Sequence, residues 1–423
     1  MKRREFLTKF FASTALLAAP STTLFASNAE YNGRILVTFE ANGGWDVTAF
    51  CDPKMNIPGE KKITHWSESD ETQTVGGIDY APFANNSSFF KKYHNQMLVI
   101  NGIDAQTNSH ETGIIHNWSG RTAEGYPSLG ALFSASYNAD SPLAYLSTVT
   151  YNQTANLIRF NRIFEPKNLL NLGVPDIYAP GQEWGNQPYR NQNSLDRIRH
   201  YRQARLEKMM SNASIIGRNR HTLEAYSDAI AGQHALRRVI QYIPENTNGW
   251  GPKSQIDAAV VGIRAGLLAA ADFQVNGDSG NFDSHDNNDS AQTVALSYMT
   301  DIVDYLWEQA EIHGFADRLT VIMGSEFGRT PHYNSQDGKD HWPIGSMVIM
   351  EKNASWTNRA VGLTDEGHNA HKINPFTLER DDSNGTVIYP KHVHKALRKH
   401  LGIDSFAESK GFGIPTEEFN FFS

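Results

Sequence analysis

The chain has a single cysteine, Cys51, among 423 residues. One thiol can neither close an internal disulfide nor build a thiolate metal cluster. There is no positive excess either: 38 Lys+Arg face 46 Asp+Glu, a formal charge of −8, whereas a general nucleic-acid binder carries the opposite balance. Charged residues are only 20% of the chain and hydrophobic ones 39%, enough for a packed core. The length permits one large α/β domain or two smaller ones, and disorder as the main state is excluded. No apolar run reaches the roughly 20 residues that span a bilayer, so no membrane span is expected in the mature chain.

The beginning of the chain is set apart by its pattern. Lys2-Arg3-Arg4-Glu5-Phe6-Leu7-Thr8-Lys9 precedes an apolar run from Phe10 to Ala19 and a small-residue stretch ending Ser27-Asn28-Ala29. A charged start, a short apolar core and a small-x-Ala site make a signal peptide, and the paired arginines resemble the twin-arginine export signal. The expectation is residues 1–29 as signal, 30–423 as a single domain, and a periplasmic or secreted protein whose first partner is the twin-arginine export machinery. Loss of Lys2, Arg3, Arg4, Lys9 and Glu5 takes the formal charge from −8 to −11.

Four short apolar runs bounded by glycine or polar loops predict buried strands: Arg34–Glu40, Met97–Asn101, Leu319–Met323 and Gly345–Met350. Helical stretches separate them, around Asn85 to His94, from an N-cap at Ser254 through an Ala-rich run to Phe273, and from Asp289 or Ser290 to a stop at Gly314. Strands alternating with helices imply a doubly wound, mostly parallel sheet between two helical layers. Residues 193–243, which hold Arg197, Arg199, Arg202 and Arg205, read as a solvated helical hairpin inserted into the domain, with an anion-facing lid as the alternative.

In such a sheet, ligands bind outside the carboxyl ends of the strands. Acids follow the strands there: Asp46 in Gly43-Gly44-Trp45-Asp46, and Glu326 in Ser325-Glu326-Phe327-Gly328-Arg329-Thr330-Pro331. Asp283 and His285 lie two residues apart, so an extended segment points both the same way. Asp340-His341 adds a carboxylate and an imidazole from a fourth loop. Oxygen and imidazole donors without thiolate suit one or two divalent ions, Zn, Mn, Mg or Ca.

These motifs together, with Asn108-Ser109-His110, resemble domain-of-unknown-function family 1501, placed in the alkaline phosphatase and sulfatase superfamily. The resemblance implies an α/β/α sandwich and a metal site with Asp46, Asp283, His285, Glu326 and His341 as ligands. It also implies a hydroxyl nucleophile after the second strand, Ser109 or else Thr107. His110 and His116 would serve as ligand or general acid, and Arg329 or Arg121 would stabilise transition-state charge. Alternatively, Arg329 is a salt bridge holding the Glu326 loop. The chain departs from the phosphatases in having Glu326-Phe327 where they carry Asp-His. It departs from the sulfatases in placing neither Cys51 nor Ser109 in a Cys/Ser-x-Pro-x-Arg context.

The expected function is an exported metal-dependent hydrolase of a phosphate or sulfate ester, its substrate a small anionic ester or a decorated glycan. The alternative is a non-catalytic metal-binding or assembly protein of the cell envelope on the same fold. His368, His371, His392 and His394 are expected at the surface. Trp118, Trp184, Trp250 and Trp342 are expected in core or rim packing, with the lining of a sugar site as the alternative.

Overall fold

The computed structural model describes residues 30–173, 190–245, 249, 251–275 and 281–423. The expected export signal, residues 1–29, and Trp184 and Trp250 lie outside the described residues. One sheet holds eight strands: β1 (Ile35–Ala41), β2 (Met97–Asp104), β3 (Tyr145–Ser147), β4 (Phe160–Asn161), β5 (Ala270–Val275), β6 (Leu319–Gly324), β7 (Ile344–Glu351) and β8 (Arg359–Val361). Their spatial order is β8-β2-β7-β6-β1-β5-β3-β4. β1 lies at the centre, parallel to β5 and β6 and buried along its whole length.

The expected mixed α/β sandwich with a mostly parallel sheet is what the chain forms. Within it, β7 runs antiparallel to both β2 and β6. A parallel return needs a long crossover, usually a helix. Between Gly324 and Ile344 the chain makes only a two-residue ribbon, Gly328–Arg329 against His341–Trp342, so it comes back on the same side of the sheet.

The sheet domain includes helices α1 (Asn86–Tyr93), α2 (His110–Ser119), α3 (Leu129–Tyr137), α6 (Pro252–Arg264), α7 (Asn288–Ile312) and α8 (Pro390–His400). Trp118 of α2, Leu129 and Leu132 of α3 and Val393 and Leu397 of α8 join Leu36, Ile100 and Ile349 of the sheet in one buried apolar cluster. Helices α1 and α6 each pack on α7, with α6 also against β5. Between these groups in the chain, α4 (Gln192–Met210) and α5 (Gly217–Leu236) belong to a second compact unit. Asn191 caps α4 by accepting from Ser194 N at 2.9 Å, and Arg199 pairs with Asp196 on its surface.

The helix expected to run from Ser254 to Phe273 is corrected. It starts at Pro252 and ends at Arg264, Gly266 takes a left-handed φ of 64°, and Ala270–Val275 forms β5. Alanine's helical preference is a weak prior that tertiary packing overrides. Ala270 stands opposite both Leu36 and Tyr145, and the small side chain fits between those larger neighbours. The surface histidines are corrected as well, since His368, His392 and His394 are buried. His394 Nε2 meets Asn117 O at 2.8 Å, and burial holds its pKa down at about 3 and that of His392 at about 4. Both are neutral packing groups on α8.

Two buried acids sit on the central strands themselves, Glu40 on β1 and Asp272 on β5. Asp272 of β5 accepts from Thr38 Oγ1 at 2.8 Å and from the Tyr145 hydroxyl, while both carboxyl oxygens of Glu40 are buried without a hydrogen-bond partner. Burial pushes the Asp272 carboxyl up to about 6. Burial also pushes Glu40 well above its ordinary value, helped by repulsion from Glu326 and Asp272. The folded state therefore holds these protons more tightly than the unfolded chain does. The stability they contribute is complete below about pH 4 and, for Asp272, is lost as pH rises through about 6. Asp272→Asn is expected to flatten that part of the stability curve. Urea midpoints measured between about pH 4 and 7 check this; a slope as steep as wild type would assign the titration to another group.

Candidate metal centre

The site lies at the carboxyl ends of β1 and β6, where four loops and the start of α2 meet. One face of α2, formed by His110, Gly113 and Asn117 at helical spacing, rests on Glu326. Asn117 Nδ2 donates to the Glu326 carbonyl at 2.5 Å, and His110 Nδ1 stands 2.7 Å from Glu326 Oε1. A Cβ on Gly113 would lie 2.8 Å from that same carbonyl oxygen, so only glycine lets the helix come this close. The Glu326 side chain is fully buried, accepting also from Gly43 N at 2.8 Å and from Ser325 Oγ at 2.9 Å.

Three imidazoles converge on one carboxylate oxygen. Asp283 Oδ1 lies 3.7 Å from His110 Nε2, 3.1 Å from His285 Nε2 and 3.5 Å from His341 Nε2; His285 and His341 bring their Nε2 atoms within 3.0 Å of each other. Each ring has its other nitrogen at an acceptor. His110 Nδ1 faces Glu326, His285 Nδ1 faces Asp340 Oδ1 at 3.0 Å, and His341 Nδ1 faces the Asn108 carbonyl at 2.8 Å. An acceptor at Nδ1 fixes the proton there and leaves the Nε2 lone pair free. The same arrangement orients metal-bound histidines from outside the coordination shell.

The electrostatics agree with that geometry. Burial works against ionisation of Asp283, but the Arg329 guanidinium outweighs it and holds the carboxyl below its ordinary range. The hydrogen bond that His110 donates to Glu326 raises its pKa, and burial lowers that of His341. Arg329 is itself fully buried. Its Nε and Nη2 donate to the carbonyls of Gly44 and Gly43, its Nη1 to Lys339 O at 2.9 Å, and its Nη2 to Asp283 Oδ1 at 2.6 Å. Of the two expectations for Arg329, the fixed clamp is the one this geometry matches, and the loop it holds is that of Asp283.

Asp46 and Glu326, expected as ligands, stand outside the converging set. Asp46 faces Lys339 Nζ at 2.8 Å and accepts from Asn288 Nδ2 at 2.9 Å and Thr48 Oγ1 at 2.7 Å. Burial opposes its ionisation, and the Lys339 ammonium overcomes that and lowers its pKa. Glu326 is occupied in holding His110. In their place His110 joins Asp283 and His341 as ligand atoms that all lie within 4.8 Å of one another. Ser109 sits at the N-cap of α2 with no side-chain capping bond, exposed, between Asn108 and His110, while Thr107 Oγ1 accepts from Ser109 N at 3.0 Å. Arg121 binds the Gly413 carbonyl and His116 stands at that of Ala105, neither within the cluster.

The residues that sequence reasoning missed are the supports: Lys339, Asp340 as partner of His285, and the Gly113–Asn117 face. Helical spacing from His110 could have found that face; the pairing of Lys339 with Asp46 left no local signal. The grouped donors, one nitrogen each from His110 and His341 and one Asp283 oxygen, with His285 beside them and outer partners in place, are of the kind that hold a divalent cation.

Gly113→Ala tests how tightly this layer is packed. The added methyl group must displace α2 or the Glu326 backbone, with an expected loss of about 1–3 kcal/mol in urea denaturation. A change within error would mean that α2 does not need the close approach.

No curated protein matches. Among solved structures, Ps i-CgsB in complex with k-i-k-neocarrahexaose is similar with a TM-score of 0.40 and 8% identity, over 92% of this chain and 76% of that one. The lipoteichoic acid synthase LtaP from Listeria monocytogenes gives 0.36 and 7%, over 96% and 77%. A protein in the alkaline phosphatase superfamily from Vibrio parahaemolyticus gives 0.35 and 10%, over 95% and 76%. The family described as "Protein of unknown function (DUF1501)" matches residues 36–380, and the chain belongs to it.

Proposed function

We propose that this protein is an exported, metal-dependent hydrolase of a phosphate or sulfate ester. The observation that carries the reading is the convergence of His110, His285 and His341 Nε2 on Asp283 Oδ1, with every Nδ1 held by an acceptor. A nitrogen-rich set of this kind suits zinc better than magnesium or calcium. The bound ion would supply positive charge for the ester and lower the pKa of a nearby hydroxyl or water. The chain's own residues do the positioning. Ser109 presents its hydroxyl at the N-terminus of α2, where backbone N–H groups face an anion. Arg329 keeps Asp283 in place, and Glu326 and Asp340 aim two of the histidines.

A second reading has its own observation. The 2.6 Å Arg329–Asp283 contact neutralises the central carboxylate without any added ion, which favours a non-catalytic binding or assembly protein of the cell envelope. Metal analysis with a phosphate- and sulfate-ester panel separates the two. The hydrolase reading expects bound zinc and turnover. Glu326→Gln should weaken zinc affinity roughly 10–100-fold, whereas Ser109→Ala should keep the metal and lower kcat on the order of 10³-fold. Zinc without any turnover would leave the binding protein.

Export is part of the same proposal and rests on the pattern of Arg3 and Arg4 before an apolar run. Replacing both arginines by lysine is expected to keep the precursor in the cytoplasm. Cell fractionation reads this directly, and unchanged export of the double variant would rule out the twin-arginine route.

A further inference from the structure

Beside the histidine cluster the chain forms a cleft of about 450 Å³, well within the size of small-molecule sites. Its walls include Lys61, His332, Tyr333, Asp340 and Trp342. Two contacts tie it to the cluster: Asp340 Oδ1 is the partner of His285 Nδ1, and Trp342 follows His341 in the ribbon that pairs with Gly328–Arg329. The cleft therefore borders the cluster through Asp340 and Trp342.

The cleft has rigid aromatic walls and almost no aliphatic ones. Trp342 is half-buried, and its Nε1 donates to the His368 carbonyl at 2.7 Å, so the indole edge is pinned. The Tyr333 hydroxyl donates to Asp289 Oδ1 at 2.6 Å, and its ring stacks on His65 at 4.4 Å. Apart from Pro331 and Gly367, the lining is polar or aromatic. An alkyl chain would find few partners there, whereas a sugar ring can lay its C–H face on an aromatic wall and turn its hydroxyls to polar ones. Two polar groups have no partner among the described residues. His332 Nδ1 is buried and unbonded, and exposed Lys61 offers an ammonium in the lining.

We infer that this cleft binds the saccharide portion of a sugar ester that carries a second anionic group, with the ring on Trp342 and the second anion at Lys61. The inference rests on the hydrolase reading for the ester placed at Asp283. The choice of sugar rests on the cleft alone.

Isothermal titration of the zinc-loaded mature chain in a Ser109→Ala background tests it, with glucose 1-phosphate, glucose 1,6-bisphosphate and octyl phosphate as probes. Both sugar esters should bind more tightly than octyl phosphate by about tenfold. Trp342→Ala should remove that preference and Trp342→Phe should keep it. Lys61→Ala should weaken only the bisphosphate, by about fivefold, as expected for one exposed charge. Equal binding of octyl phosphate and the sugar esters, no response to Trp342→Ala, or no binding of any probe would overturn the assignment. The two proposals fail separately. Turnover of phenyl phosphate by the wild-type chain without a sugar preference keeps the hydrolase and removes the cleft. Sugar binding that depends on Trp342, with no turnover of any ester, does the reverse.

Discussion

The site depends on one carboxylate oxygen. Asp283 Oδ1 is the common neighbour of the Arg329 guanidinium and three imidazole nitrogens, so the loops that bring these groups are all referenced to one atom. An anion this heavily surrounded stays ionised despite burial, and its place is set by an arginine that cannot move. With four donor contacts spread over the Gly43, Gly44 and Lys339 carbonyls and Asp283, Arg329 ties the turns after β1 and β6 to the Asp283 loop. Lysine could not replace this fork, since one point charge cannot reach the same four acceptors.

Around that centre the acids divide into two kinds. Asp283 faces the space between the histidines, while Asp46 and Glu326 face inward and each fixes a partner: Lys339 in one case, His110 in the other. Removing one member of a buried ion pair such as Asp46–Lys339 commonly costs about 3–5 kcal/mol, far more than the pair itself contributes. Such a pair matters here for position, because Lys339 lies next to Asp340 and His341, one the support and the other a member of the cluster.

Much of this was legible in the sequence because it is local. The four branched apolar runs became β1, β2, β6 and β7, and acids placed directly after strands gathered at one end of the sheet. What could not be read depends on partners far apart in the chain. Asp46 meets Lys339 and Glu326 meets His110, 216 residues away, and neither partner is visible in the local sequence. β5 was hidden for a different reason: Ala269-Ala270-Ala271 has helical propensity, and only its neighbours in the sheet make it a strand. The buried His392 and His394 were misjudged because a polar-looking stretch, Lys391–His394, lies on an amphipathic helix whose inner face happens to carry the imidazoles.

The Lys339 ammonium has one more implication. A metal ion is a counter-charge on loan, taken away by any strong enough chelator, whereas an ammonium on a covalent tether stays with the chain. It holds Asp46 and Thr48 together at 2.8 and 2.9 Å under a fully buried roof. The floor of the site is thus built from charges that the protein owns outright. Small domains whose fold is inseparable from their ion lack such a floor; here the charge that balances Asp46 is part of the chain.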